Sequence, residues 1–231
     1  MTNAGRTFLI IGASRGIGRA VCEHLLGQGH CVIGVSRSQA RCDEWVRADV
    51  STPEGIRTVI DHVGSRRLDG LLFLGGVWEM NAFTGHYSFE ASSDAETRLV
   101  IAVNLIAPIE LSRGLSKNLA ASLNPRCIFI GSLSGLDNLA SAEVANTASK
   151  FGLRGAVQAL RLALRGHRIG FSVVNPGNVA TDEVLSDIAA GRFPEQQPIP
   201  LGDLCRTIDW LLDLSPDTEV GEVSLMQRPR L

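Results

Sequence analysis

A doubly wound α/β fold, in which helices cover both faces of a parallel sheet, is the fold class that this sequence of 231 residues predicts. Short apolar runs rich in β-branched residues alternate with longer amphipathic stretches along the chain. Nearly all-apolar strands between helices are typical of a sheet that is buried on both faces. No Pro/Gly/Ser-rich linker and no internal repeat interrupts the alternation, so a single domain over residues 1–231 is expected.

The individual elements follow from the hydrophobic period and from the turn residues that bound each run. Strands are predicted at residues 7–11, 31–35, 45–48, 70–74, 126–130, 170–174 and 222–225. Longer helices are predicted at residues 16–26, 53–63, 97–118, 144–165 and 201–212, and a short helix followed by a loop at 182–200. In such sheets ligands bind at the carboxyl ends of the strands, so residues that follow a strand are the candidates for a functional site.

Composition and charge argue against several classes of partner. The formal net charge is −2, so the positive field that nucleic acid or an anionic membrane demands is not expected. No run approaches the ~20 apolar residues that span a bilayer, and the first residues lack the layout of a signal peptide. The five cysteines are scattered and never spaced as CxxC, which argues against disulfides and a zinc site. We therefore expect a soluble, cytoplasmic protein without a metal site.

The segment between the first strand and the first helix reads Gly12-Ala13-Ser14-Arg15-Gly16-Ile17-Gly18. Glycines in this context let the backbone approach a pyrophosphate, and the N-terminus of the following helix faces the anion. A tight turn with close helix–strand packing would also favour glycine. Position and context favour phosphate binding.

The end of the second strand bears on the choice of nucleotide. It reads Val35-Ser36-Arg37-Ser38, without the acidic residue that typically binds the ribose 2′-hydroxyl of NAD. Arg37 and Arg15 supply planar cationic donors that suit a 2′-phosphate, although two solvated arginines at helix starts are the alternative. NADP(H) is therefore the expected cofactor. Asp49-Val50, past the third strand, is a candidate for the adenine contact, and a capping Asp is the alternative there.

Further motifs follow in a set order along the chain. They are Val103-Asn104, Gly131-Ser132-Leu133-Ser134-Gly135, Ala148-Ser149-Lys150 and Asn175-Pro176-Gly177-Asn178-Val179-Ala180-Thr181. With the glycine loop and Asp49-Val50, they resemble the short-chain dehydrogenase/reductase family over nearly the whole chain. The resemblance implies a Rossmann-type domain that binds a nicotinamide cofactor and a small-molecule substrate.

The same resemblance implies a role for each matched residue. Ser132 would orient a substrate carbonyl, Lys150 would hold the nicotinamide ribose, and Asn104 would support a proton-relay water. Further cofactor contacts would come from Gly75, Pro176, Gly177, Val179 and Thr181.

Two larger features are also implied by the resemblance. The segment 182–200 would close over the substrate, and its candidate apolar lining is Val184, Leu185, Ile188 and Phe193. A homodimer or homotetramer would form on the helices at 97–118 and 144–165. Packing of those helices within one chain, and of the apolar side chains against the sheet, are the alternatives.

The sequence departs from the family pattern where a proton donor is expected. A Tyr ordinarily stands four residues before the Lys, and here that position is Asn146. A carboxamide cannot give up a proton at neutral pH, but it can donate an N–H hydrogen bond to a carbonyl oxygen. His86 and Tyr87, which follow the fourth strand, are weaker candidates for the missing donor and are more typical of surface residues. Ile11 and the run Phe73-Leu74-Gly75-Gly76 are further departures.

The expected function is therefore an NADP(H)-dependent oxidoreductase of a small carbonyl or alcohol, with non-standard proton delivery. Two alternatives stay open: a non-redox isomerase, dehydratase or cyclase on the same scaffold, and a non-catalytic protein that senses the cofactor or serves a partner. Leu133 stands at the centre of Gly131–Gly135, so the GxSxG elbow of α/β-hydrolases is absent. The chain also has no GxxxxGK[ST] loop for nucleotide hydrolysis.

Overall fold

The computed structural model describes residues 5–193 and 196–228, and it contains a sheet of seven strands. The strand order is β3-β2-β1-β4-β5-β6-β7, and every neighbouring pair is parallel. The bounds are β1 Thr7–Ile11, β2 Cys31–Ser36, β3 Glu44–Arg47, β4 Gly70–Phe73, β5 Arg126–Ile130, β6 Gly170–Pro176 and β7 Glu222–Leu225. The predicted doubly wound parallel sheet is confirmed.

Helices cover both faces of this sheet. Their bounds are α1 Gly16–Gly27, α2 Pro53–Val63, α3 Asp94–Ile101, α4 Ala107–Gly114, α5 Ser116–Ala120, α6 Val144–Ala163, α7 Asp182–Ala189 and α8 Leu201–Asp213. α1 and α8 pack on one face, while α2, α4 and α6 pack on the other. In β1, Phe8 and Ile10 face the first layer, and Leu9 and Ile11 face the second. Because strand side chains alternate between faces, an all-apolar strand serves both cores.

One predicted helix is divided in the structure. α3 begins at Asp94, earlier than predicted, because Ser93 and Glu96 form a reciprocal capping box. A π-helical turn at Ala102–Ile106 follows, and α4 and the short α5 complete the stretch. Pro108 has no N–H to donate to the carbonyl four residues before it. Residues 97–118 are therefore helical as predicted except at Leu115, but a π-helical turn and the break between α4 and α5 divide the stretch.

Other bounds move by one or two residues. β2 and β6 continue to Ser36 and Pro176, β4 stops at Phe73, and β3 lies one residue earlier than predicted. β3 is an edge strand in which Trp45 is 37% exposed, so alternation indicates its register only weakly. The ends of α1, α6 and α8 shift by no more than two residues.

The strand order reverses between β1 and β4, where such sheets form their ligand crevice. Backbone hydrogen bonds fix the chain as it leaves each strand there. Leu74 and Gly75 donate to the carbonyl of Ile11, and Gly12 donates to the carbonyl of Val35. The crevice therefore has a rigid floor.

Two further findings concern the described part of the chain. Within residues 5–193 and 196–228, none of the helices combines the length and apolar character that a bilayer-spanning helix needs. Over the same residues no three His, Cys, Asp or Glu side chains are placed to hold a metal ion, and the five cysteines are free thiols.

Candidate active site

Residues that follow β1 to β6 line one cleft of about 820 Å³ at the carboxyl edge of the sheet. It brings together most of the predicted site residues: Gly12, Ser14, Arg15, Gly16, Ile17, Arg37, Asp49, Val50, Gly75, Ser132, Asn146, Lys150, Pro176, Gly177, Val179 and Thr181. Gly18 and Asn104 lie behind this lining.

The glycine loop is shaped by two close backbone approaches. Gly12 has a φ of +89°, and a Cβ there would lie 2.5 Å from the backbone nitrogen of Gly75. A Cβ at Gly18 would overlap the carbonyl oxygen of Gly12, so Gly18 serves packing behind the cleft. Arg15 is the N-cap of α1, and its side chain makes no capping hydrogen bond. The first N–H groups of α1 are therefore open to an anion, which fits a bound pyrophosphate.

The cleft beside β2 is cationic. Arg15 and Arg37 line it, both are exposed, and neither forms an ion pair with any residue that the structure describes. Ser36 is held by donating to the carbonyl of Ser38 and accepting from Trp45 Nε1. Residues 37–42, which directly follow β2, include no carboxylate. The two guanidinium groups can donate planar, charge-assisted hydrogen bonds to an anion.

Asp49 lies on the same side of the cleft. Burial opposes its ionisation, but hydrogen bonds from Ser51 and the charge of Arg37 outweigh burial and hold the pKa of the Asp49 carboxyl below its usual value. Asp49 is therefore a carboxylate at neutral pH. Such a group can accept a hydrogen bond from an exocyclic amine.

Asn104 lies in the π-helical turn and is 2% exposed. Its Nδ2 donates to the carbonyl of Val77 at 2.7 Å and to Ser149 Oγ at 3.2 Å, while its Oδ1 accepts from the backbone nitrogen of Val77 at 3.0 Å. These contacts brace the chain after β4, where Phe73 packs edge-on against Phe129. Because it lies behind the lining, Asn104 supports the cleft from outside.

Ser132 lies in a hydrogen-bond chain that begins at Asn146. Asn146 Nδ2 donates to Ser134 Oγ at 3.3 Å, and Ser134 Oγ donates to Ser132 Oγ at 2.9 Å. The backbone nitrogen of Ser134 also donates to Ser132 Oγ, at 3.2 Å. Ser132 Oγ thus accepts two hydrogen bonds, which leaves its own proton for an acceptor in the cleft. Successive donors polarise one another, so this hydroxyl becomes a stronger donor.

This arrangement engages one of the two N–H groups of Asn146, and its direct contact with a carbonyl oxygen stays a prediction. The sequence suggested that its N–H would reach a carbonyl oxygen directly. In the structure Asn146 is 3% exposed and one of its N–H groups is engaged by Ser134. Ser134 carried no signal in the sequence beyond its place in Gly131–Gly135.

Lys150 follows Asn146 by one helical turn and is 7% exposed. Its Nζ donates to the carbonyl of Ile130 at 3.0 Å. A side chain at Gly76 would lie 3.7 Å from both this Nζ and Asn104 Oδ1, so the glycine keeps the space beside the ammonium open. Burial lowers the pKa of the Lys150 ammonium from 10.5 to about 8.

Replacing Lys150 by Met is expected to stabilise the protein at pH 7. The lowered pKa means that burying the Lys150 ammonium costs about 3 kcal/mol of folding free energy below pH 8. The variant gains this amount but loses about 1 kcal/mol with the hydrogen bond to Ile130. The penalty disappears as the pH rises from about 8 to 10.5, because the lysine is then neutral in both states. Urea unfolding at pH 7 and above pH 10 measures the difference.

The exposed Lys117 provides the control, since Lys117→Met should change stability little at either pH. A Lys150→Met variant that is less stable than the natural chain at pH 7 would contradict this account of the buried ammonium.

The other candidate residues separate into two groups. Val184 and Phe193 line the cleft, whereas Leu185 and Ile188 do not. His86 and Tyr87 also lie outside the lining, and Tyr87 Oη accepts the N–H of Val144 at the start of α6. Neither is placed to serve as the missing proton donor. Of the segment 182–200, residues 194 and 195 lie outside the described residues.

Several cleft residues were missed in the sequence. Trp78, Phe83 and Leu139 line the cleft, and Glu79 lies buried behind Trp78. Gln227 reaches the cleft from the far end of the chain, where its Oε1 accepts from the backbone nitrogen of Asn178. No motif marks these positions, because their contacts arise from distant parts of the chain.

Comparisons with known proteins identify the family of this chain. The profile of the family described as short chain dehydrogenase matches residues 6–189. "Short chain dehydrogenase adrF" of Penicillium roqueforti is 32% identical over 184 residues, which are 75% of this chain and 69% of that protein. The crystal structure of "a metagenomic short-chain oxidoreductase (SDR) in complex with NADP" has a TM-score of 0.76 at 26% identity, covering 98% of this chain and 99% of that one.

A second solved structure, "4-hydroxyisoleucine dehydrogenase complexed with NADH", has a TM-score of 0.80 at 24% identity and covers 96% of this chain and 97% of that one. The matched profile spans the glycine loop, Ser132 and Lys150. The chain belongs to the short-chain dehydrogenase family.

Proposed function

We propose that this chain is an NADP(H)-dependent oxidoreductase that interconverts a small carbonyl compound and its alcohol. One observation carries the proposal: Ser132, Asn146 and Lys150 line the same cleft as the glycine loop at the N-terminus of α1. A carbonyl that accepts a hydrogen bond from Ser132 would share this cleft with a nicotinamide nucleotide. The chain's family supports the reaction class.

The preference for NADP(H) is supported by charge and not by the fold. Similar structures hold NADP in one case and NADH in another. Here Arg15 and Arg37 line the cleft beside β2. Residues 37–42, which follow that strand, include no carboxylate. Two guanidinium groups that line the same cleft favour a dianionic 2′-phosphate over a neutral hydroxyl.

The chain's own residues would stabilise charge on the substrate oxygen. When bound, NADPH supplies a hydride to a carbonyl carbon, and a proton from water must complete the alcohol. Ser132 donates its hydroxyl proton in a hydrogen bond to the oxygen, and Asn146 strengthens that donor through Ser134. Lys150 keeps a positive charge at Nζ below about pH 8, which favours negative charge on a nearby oxygen.

The absence of a phenol at position 146 has a kinetic consequence. General acid–base assistance is typically worth about 10²–10⁴-fold in rate. Asn146 cannot supply it, because a carboxamide neither gains nor loses a proton near neutral pH. Turnover through Ser132 and water is therefore expected to be slow.

The proposal is tested by supplying NADPH with a panel of neutral carbonyl compounds and following nicotinamide absorbance together with product. NADPH oxidation matched by alcohol formation is the expected result. Product without a change in absorbance would indicate a non-redox enzyme. If the natural chain binds the cofactor but forms no product, and Asn146→Tyr gains activity, the natural protein is non-catalytic. Its lack of activity would then be due to the residue at position 146. Thermal unfolding of the variant checks that the larger side chain is accommodated.

A further inference from the structure

The chain after β4 presents an aromatic surface to the cleft, and we call the segment Trp78–Phe83 the aromatic wall. Trp78 and Phe83 both line the cleft, with their ring centroids 6.2 Å apart and their planes at 65°. They are 47% and 39% exposed. Aromatic side chains exposed inside a cleft are a typical apolar recognition surface.

The wall is fastened to α6 by two carboxylates, one from the wall and one from the start of α6. Glu79 of the wall accepts the N–H groups of Ala145 and Asn146 at 2.7 and 3.2 Å. Glu143, at the N-cap of α6, accepts the N–H of Phe83 at 2.7 Å. Both carboxylates are buried, at 2% and 4% exposure. Charge-assisted hydrogen bonds of this kind are strong where water is excluded.

A further hydrogen bond fastens the aromatic wall to α3, and the backbone at Phe83 is strained. The N–H of Met80 donates to Glu96 at the start of α3, at 2.7 Å. Phe83 has a φ of +63°, a conformation that is rare for a bulky residue and costs about 1–3 kcal/mol. The contacts around Phe83 therefore keep its backbone in an unfavourable conformation, and that conformation places the Phe83 ring at the cleft.

Other elements extend the apolar surface on further sides of the cleft. Leu139 follows β5, and Val184 and Phe193 belong to the segment that begins with α7. The ring of Phe83 and these side chains suit a ligand with broad apolar faces.

The charges at the cleft exclude one class of substrate. Among the described residues, the cationic side chains that line the cleft are Arg15, Arg37 and Lys150. The first two follow β1 and β2, and Lys150 donates to a backbone carbonyl. On α7 the lining charges are Glu183 and Asp187, and Asp187 pairs with Arg192 at 2.6 Å. An anionic substrate beside α7 would meet the carboxylate of Glu183, which forms no ion pair with a described residue.

We infer that the aromatic wall selects neutral, ring-containing apolar ketones and the corresponding alcohols, and that Phe83 is a residue that determines this specificity. The inference rests on the proposed function, since it names the substrate class of the same site. In the reaction the ketone carbon gains a hydride with its two electrons from NADPH, the C=O π bond becomes a C–O single bond, and the oxygen gains a proton from water.

Equilibrium binding tests the wall without requiring turnover. Calorimetry on the full chain saturated with NADP⁺ would compare decalone, cyclohexanone, dihydroxyacetone and oxocyclohexanecarboxylate, which adds one negative charge to the cyclohexanone ring. Decalone is expected to bind at least about tenfold more tightly than dihydroxyacetone because it buries more apolar surface. The carboxylate is expected to bind at least about tenfold more weakly than cyclohexanone.

Two variants in the stretch between β4 and α3 separate an effect on ligand recognition from an effect on folding. Phe83→Asn removes the ring but keeps a residue that tolerates positive φ, and it is expected to weaken decalone binding about tenfold. Phe89→Asn removes an exposed ring, 59% accessible, that does not line the cleft, and it should leave binding unchanged. Equal thermal stability of Phe83→Asn and the natural chain would show that the loss arises at the cleft.

The outcomes distinguish this inference from the proposed function. Decalone binding that depends on Phe83, without NADPH oxidation, would uphold the wall and overturn the oxidoreductase assignment. Tight binding of the carboxylate, unchanged decalone binding in Phe83→Asn, or no binding of any ketone would each overturn the wall.

Discussion

Replacing Arg37 by Asp is expected to weaken NADPH binding by about 100-fold. Arg37 is exposed, lines the same cleft as Arg15, and has no ion-pair partner among the described residues. The change removes a charge-assisted hydrogen bond worth about 1.5–3 kcal/mol and places a carboxylate beside the 2′-phosphate. Calorimetric titration with NADPH and with NADH measures the effect.

NADH serves as the internal comparison for this variant, because it has a hydroxyl where NADPH has the phosphate. Its affinity should stay the same or rise in Arg37→Asp, since the new carboxylate can accept a hydrogen bond from ribose. Arg41→Asp makes the same charge change at an exposed residue outside the cleft lining. An equal loss of affinity for NADPH and NADH, or an equal loss of NADPH affinity in both variants, would show that Arg37 does not bind the 2′-phosphate.

Replacing Ser132 by Ala is expected to lower kcat by about 10²–10³-fold with a small change in cofactor affinity. Ser132 is the donor that faces the cleft, and loss of one donor to a developing oxyanion typically has this effect. The loss should be larger than in an enzyme with a second acid at the site, because Asn146 cannot compensate by proton transfer. Single-turnover oxidation of NADPH, with the fastest carbonyl compound of the panel, measures it.

Ser134→Ala is the matched variant for Ser132→Ala. It keeps the Ser132 hydroxyl but removes one of the two donors that polarise it, the Ser134 hydroxyl, so a loss of about tenfold is expected, in line with one neutral hydrogen bond. If Ser134→Ala lowered kcat as much as Ser132→Ala, the hydrogen-bond chain from Asn146 would have to act on the substrate by a route other than Ser132. No loss in Ser132→Ala would remove Ser132 from the mechanism.

Much of the sheet could be predicted because its strands are almost wholly apolar. β1 and β5 match their predicted bounds, since turn residues and a change of hydrophobic period mark both ends. The edge strand β3 shifted because one of its faces is open to solvent. The start of α3 carried a signal in the spacing of Ser93 and Glu96, but the π-helical turn after it arises from packing and has no such signal.

The site was predictable to the extent that its residues directly follow strands. Gly12 and Arg37 do, Ser132 follows β5 after one glycine, and all three line the cleft. The contacts of Glu79 and Glu143 join positions 60 or more residues apart in sequence and belong to no motif, so only the folded chain brings Glu79 and Phe83 to the start of α6. Asn104 matched a motif and lies behind the lining, and its role toward a proton-relay water stays a prediction.

The most direct test of the central claim is a calorimetric titration of the natural chain with NADPH, with NADH as the comparison. The glycine loop, the open N-terminus of α1 and the two arginines predict micromolar binding of NADPH, at least about tenfold tighter than that of NADH. Binding of neither nucleotide, or a preference for NADH, would contradict the assignment of this cleft to NADP(H).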